Sequence, residues 1–64
     1  MPNPVRFAKV KRLLERDGWV LHRISGSHHV FKKPGRPNIV LPVHGGKVKA
    51  AYVKQIEEEI EQSD

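Results

Sequence analysis

The chain contains no cysteine among its 64 residues. That excludes disulfide staples and a thiolate zinc site, and it fits a reducing compartment. Aromatic residues are few, with one Trp, one Tyr and two Phe. No segment sets a basic face against a broad aromatic or leucine face, which argues against lying on a membrane surface. Long apolar runs are also missing, so no segment can span a bilayer. The start, Met1-Pro2-Asn3-Pro4, has none of the features of a secretory signal. The expectation is a soluble cytoplasmic protein with no membrane partner. A chain this short makes one domain, residues 1–64, with a small core and no internal repeat or linker.

Acidic residues are scarce through most of the chain. All twelve Lys and Arg fall between Arg6 and Lys54, where Glu15 and Asp17 are the only carboxylates, so this stretch carries +10. The overall charge of +5 understates it, because Glu57, Glu58, Glu59, Glu61 and Asp64 follow with no further cation. A body this positive attracts polyanions, and nucleic acid leads among them through phosphate neutralisation and counterion release. Residues 57–64 form an acidic C-terminal end that opposes the dipole of any helix it closes. It either frays into solvent or folds over a basic face and competes with RNA.

Periodicity predicts the elements. Phe7, Val10 and Leu14, widened by Leu13, mark one face of a helix from about Val5 to Arg16. Asn3 suits its N-cap, Pro4 its first position, and Gly18 its left-handed C-terminal cap. Trp19 to Ile24 reads as a strand with Trp19 and Leu21 on one face and Val20, His22 and Ile24 on the other. Ser25-Gly26-Ser27 is a tight turn, so His28 to Lys33 returns antiparallel. Pro34 to Asn38 forms a longer turn. Ile39 to Val43 is a third strand, placed at an edge or ending early because of Pro42. His44-Gly45-Gly46-Lys47 forms a flexible basic corner before a second helix from about Val48 to Glu61. That helix has an apolar stripe of Tyr52, Val53, Ile56 and Ile60, with Lys49 and Lys54 facing out. The fold class is α+β: a three-stranded antiparallel sheet with two helices on one face, in the order helix–strand–strand–strand–helix.

Histidines carry the candidate chemistry. His28 and His29 enter the second strand side by side, and strand geometry turns them to opposite faces. His29 shares a face with Phe31 and suits packing. An imidazole on the open face, among lysines and arginines, suits proton transfer beside a phosphate. In RNA the 2′-OH beside the scissile phosphate is the nucleophile, so the protein need only move protons and stabilise charge. Such chemistry needs no metal, cofactor or serine nucleophile. No histidine pair has ligand spacing, Ser27 next to His28 makes no triad, and Gly45-Gly46-Lys47 is too short for an NTPase phosphate loop. Arg23, Lys32, Lys33, Arg36, Lys47 and Lys49 are collectively assigned to phosphate contacts. His44 could approach a phosphate from its loop, and His22 reads as structural or exposed. Two other classes stay open: a non-catalytic RNA-binding module with the same fold, and a protein-interaction domain.

Three motifs in order resemble the HicA family of toxins from toxin–antitoxin pairs. They are Leu13-Leu14-Glu15-Arg16-Asp17-Gly18-Trp19, the corner Gly26-Ser27-His28-His29, and Leu41-Pro42-Val43-His44-Gly45-Gly46-Lys47. The resemblance extends to about Ile56. It implies a fold like that of double-stranded-RNA-binding domains and a ribonuclease that cleaves messenger RNA. Carried over, the histidine after Gly-Ser is the catalytic residue, His28, with Gly26 and Ser27 in the same functional corner. It also implies an antitoxin of the HicB family that covers the His28 face. The chain departs from the usual pattern at Ala50-Ala51-Tyr52, where Lys-Gly-Thr-like residues are common, and in its acidic end.

Overall fold

A computed structural model describes residues 3–62. Met1, Pro2, Ser63 and Asp64 lie outside the described residues, and with them the last carboxylate of the acidic end. The chain runs β1 (Val5–Arg6), α1 (Phe7–Arg16), β2 (Val20–Ser25), β3 (His28–Lys32), β4 (Ile39–Pro42), β5 (Lys47–Val48) and α2 (Ala50–Gln62). The expected α+β architecture is observed, with β2, β3 and β4 side by side in an antiparallel sheet. A two-stranded ribbon of β1 and β5 adds to it.

That ribbon corrects the expected start of the first helix. Val5 and Arg6 are extended, paired with Val48 and Lys47, and the helix begins at Phe7. Asn3 is not its cap. Arg6 occupies the cap position with φ −60° and ψ 135° and makes no side-chain cap bond. The Phe7 N–H, one of the donors a helix start leaves free, is instead donated to the Gly46 carbonyl at 2.8 Å. A long-range strand partner has replaced the local capping signal. At the other end the expectation holds. Gly18 adopts φ +97°, its N–H bonds to the Glu15 carbonyl, and the Trp19 N–H bonds to the Leu14 carbonyl. This is a Schellman closure, and it drops Trp19 directly into the core.

Directly paired residues of an antiparallel sheet share a face. Leu21, Phe31 and Ile39 form one row of the covered face, and Ile24, His29 and Leu41 the next. The covering is by α1 and α2. The Phe7 ring lies 4.6 Å from His29 and 6.2 Å from Phe31. Val10, Leu14, Trp19, Phe31, Leu41, Val48 and Ile56 make one buried cluster. Tyr52, Val53 and Ile60 pack against it, as the stripe predicts, while Lys49 and Lys54 are exposed. Val20, Arg23, Ser25, His28, Val30, Lys32, Val40 and Pro42 occupy the opposite, open face.

The register shifts between Leu21 and Arg23, so His22 is an extra, bulged residue. Strict alternation therefore fails in β2. Arg23 joins Val20 on the open face, and Ile24 moves to the face of Leu21, where it remains 57% exposed at the rim. β4 is an edge strand ending at Pro42, which lacks the N–H that an inner strand would use. Two further boundaries move. Val48 belongs to β5 and is fully buried, and α2 starts at Ala50, its first turn bonding to the Lys49 carbonyl. The helix continues through the acidic run to Gln62, and Glu59 meets Arg36 at 3.2 Å.

Candidate active site

The two adjacent histidines are held by a corner whose backbone is tied on both sides. Gly26 has φ +59° and Ser27 does not share it, the pattern of a hairpin turn with positive φ at its first central residue. An added Cβ at Gly26 would meet nothing within 4 Å, so the turn conformation alone calls for glycine there. The Ser27 carbonyl accepts the Val43 N–H at 2.7 Å. His29 Nδ1 sits 3.3 Å from the same oxygen, which favours the tautomer with its proton on Nδ1. His29 is half-buried against the Phe7 ring, tilted by 53°. His28 stands on the open face, exposed, cross-strand from Pro42.

The next histidine reaches the same place by a different route. His44 N–H bonds to the Lys47 carbonyl at 3.0 Å, and Lys47 N–H returns to the His44 carbonyl at 2.9 Å. Gly45 and Gly46 between them have φ +58° and +74°. Positive φ at both central residues defines a type I′ hairpin turn. The expected flexible corner is thus a tight, doubly bonded hairpin, further fixed by the bond from Phe7 to Gly46. Its twin glycines are what allow a two-residue turn.

Together these elements frame an open cleft of about 290 Å³ lined by Ser27, His28, Pro42, His44, Lys49 and Tyr52. Two imidazoles, one ammonium and one phenol surround it, and among the described residues no carboxylate lines it. The field is therefore positive and suits an anion. Either imidazole can accept or donate a proton, the ammonium can neutralise a phosphoryl oxygen, and the phenol ring offers a flat surface to a base. Among the described residues, no three side chains of metal-ligating type converge.

Of the residues singled out from the sequence, the fold brings His28, Ser27, His44 and Lys49 to this cleft. Gly26 shapes the adjoining turn without lining it. Arg23 shares the open face one pair further along, and Lys47 is joined to His44 by the hairpin. Lys32 lies at the far end of β3, about 13 Å away by strand rise. Lys33 and Arg36 are engaged elsewhere: Lys33 Nζ donates to Asp17 Oδ2 at 3.2 Å, and Arg36 to Glu59 Oε1 at 3.2 Å. His22, on its bulge, lines a separate depression with Val20, Lys32, Lys33, Pro34 and Asn38.

Tyr52 is the site residue that sequence reasoning assigned only to the core. It does pack on the core, yet it also lines the cleft. The available signal was its type, a ring with a polar tip, at the N-terminal end of the α2 stripe beside a basic hairpin.

The family model described as the HicA toxin of bacterial toxin–antitoxin matches residues 7–64, beyond the point near Ile56 to which the resemblance extends. A comparison with curated proteins gives no match.

Proposed function

The chain belongs to the HicA toxin family, the toxin side of a toxin–antitoxin pairing, and from that premise we propose that it is a metal-independent endoribonuclease acting on messenger RNA. His28 serves as general acid/base in the cleft. The substrate 2′-OH attacks the adjacent phosphorus, the bond to O5′ breaks, and the products are a 2′,3′-cyclic phosphate and a free 5′-OH. Lys49 is the cation set to offset charge on the phosphorane, and Arg23 and Lys47 extend the phosphate track along the open side. A HicB-like antitoxin that covers this face would silence the cleft.

One observation carries the reading. Of two neighbouring histidines, the fold packs His29 against Phe7 and leaves His28 exposed in a cleft that, among the described residues, is lined by a cation and no carboxylate. Purified wild-type protein should cleave an RNA oligonucleotide in the presence of a chelator. His28→Ala should lower kcat by roughly 100-fold or more, the range for a lost proton-transfer group. A 2′-deoxy substitution at the cut site should block cleavage. Undiminished cleavage by His28→Ala, or efficient cleavage of the deoxy substrate, would refute the mechanism. Salt-dependent RNA binding with no product would favour the non-catalytic module instead.

A further inference from the structure

Cleavage through the 2′-OH needs two proton transfers, one off the nucleophile and one onto the leaving O5′. A single imidazole supplies one of them at a time. We propose that His44 supplies the other, so that His28 and His44 divide the base and acid roles between them. This rests on the endoribonuclease reading and goes beyond it by assigning a second catalytic residue.

Three observations support the assignment. His44 lines the same cleft as His28 while arriving from a different element, 16 residues further along the chain. It is held in place, because its N–H and carbonyl both bond to Lys47 across a type I′ turn whose next strand pairs with β1. A catalytic group on a mobile loop would lose this preorganisation. The remaining lining groups are also poorer candidates. The other polar groups lining the cleft are Ser27 beside His28, Lys49 just before α2 and Tyr52 in its first turn; Lys47 lies across the hairpin from His44, and Arg23 shares the open sheet face with His28. β4 adds no titratable side chain. Among these types only imidazole ordinarily changes charge between about pH 5 and 8, while ammonium, guanidinium and phenol keep their protons there.

The step balances. One imidazole, neutral, takes the 2′-OH proton as the 2′-O–P bond forms. The other, protonated, passes its proton to O5′ as the P–O5′ bond breaks. The enzyme ends with the two protonation states exchanged, and proton exchange with water restores them once the products leave.

The test uses the full chain, an RNA oligonucleotide, and the same oligonucleotide with sulfur in place of O5′, a leaving group that needs no acid. Wild type should give a bell-shaped pH profile of kcat/KM. His44→Ala and His44→Gln should each lose at least about 100-fold in kcat on the oxygen substrate. Each should lose one limb of the bell, and His28→Ala the other. The sulfur substrate should restore most of the rate to the variant lacking the acid, and to that variant alone. Thermal unfolding of each variant confirms that the fold persists, and His44→Gln keeps a hydrogen-bonding side chain at the position. Retained kcat in His44→Gln, a raised KM with unchanged kcat, or rescue of both or neither histidine variant would overturn the proposal. If wild type cleaves and His28→Ala does not, a fully active His44→Ala rejects only the role of His44. If wild type itself yields no product, the endoribonuclease reading falls with it.

Discussion

At the scale of single residues, His28 and His29 show how one step along a strand separates two identical side chains into different jobs. His29 lies under α1, its ring against Phe7 and its Nδ1 at the Ser27 carbonyl. Removing it forfeits an aromatic contact and partial burial, so His29→Ala should lower unfolding free energy by about 1 kcal/mol. His28 is exposed and makes no such contact, so His28→Ala should stay within about 0.5 kcal/mol of wild type while abolishing cleavage. Urea denaturation of the two variants beside the activity assay separates the roles. Equal stability losses would count against the assignment of faces. A domain of this size has roughly 3–10 kcal/mol to lose, so even 1 kcal/mol is measurable.

At the scale of elements, two tight turns do most of the positioning. The His44–Lys47 hairpin depends on left-handed backbone at Gly45 and Gly46, and open space surrounds both positions. An alanine at Gly46 therefore meets no clash, and its cost is that of a left-handed conformation, about 1–2 kcal/mol. We expect Gly46→Ala to lower stability by that amount and to reduce cleavage as well, because the turn carries His44 and its carbonyl receives the first N–H of α1. Thermal unfolding paired with kcat measures both effects; loss of neither would show that the turn is dispensable. The same hairpin delivers β5 to β1, which explains why α1 starts at Phe7 instead of at the proline-marked position.

At the scale of the whole molecule, the cations divide into two groups. Lys33 and Arg36 meet Asp17 and Glu59 away from the cleft, so their charge is already matched by carboxylates within 4 Å. Lys49 lines the cleft, where no carboxylate of the described residues joins it. Lys49→Ala should weaken RNA binding across sequences and lower the slope of log K against log salt by about 1. Lys33→Ala should change that slope little and act instead on stability, since Asp17 also accepts the Trp19 indole N–H. Binding isotherms across a salt series decide between them, and equal slopes for both variants would reject the division. Glu59 shows that part of the acidic run of α2 folds back on a basic residue of this chain, the β3–β4 turn residue Arg36.

Local chemistry settled much of this in advance. The spacing of Phe7, Val10 and Leu14 makes α1, Gly18 closes it, Gly26 turns the hairpin, Pro42 ends an edge strand, and backbone geometry alone sends His28 and His29 to opposite faces. Each of these effects acts over a few residues and is therefore written in adjacent letters. Three things required the tertiary structure. Which sheet face is covered depends on where the apolar stripes of α1 and α2 find enough surface to bury, since Val30 and Phe31 pointed equally well either way. The bulge at His22 and the β1–β5 ribbon arise from partners far along the chain, and they override alternation and capping signals that are individually weak. The cleft itself joins His28 to His44, Lys49 and Tyr52 across 16 to 24 residues. Only the packing of α2 against the sheet, and the hairpin that leads into it, brings those side chains to one cleft.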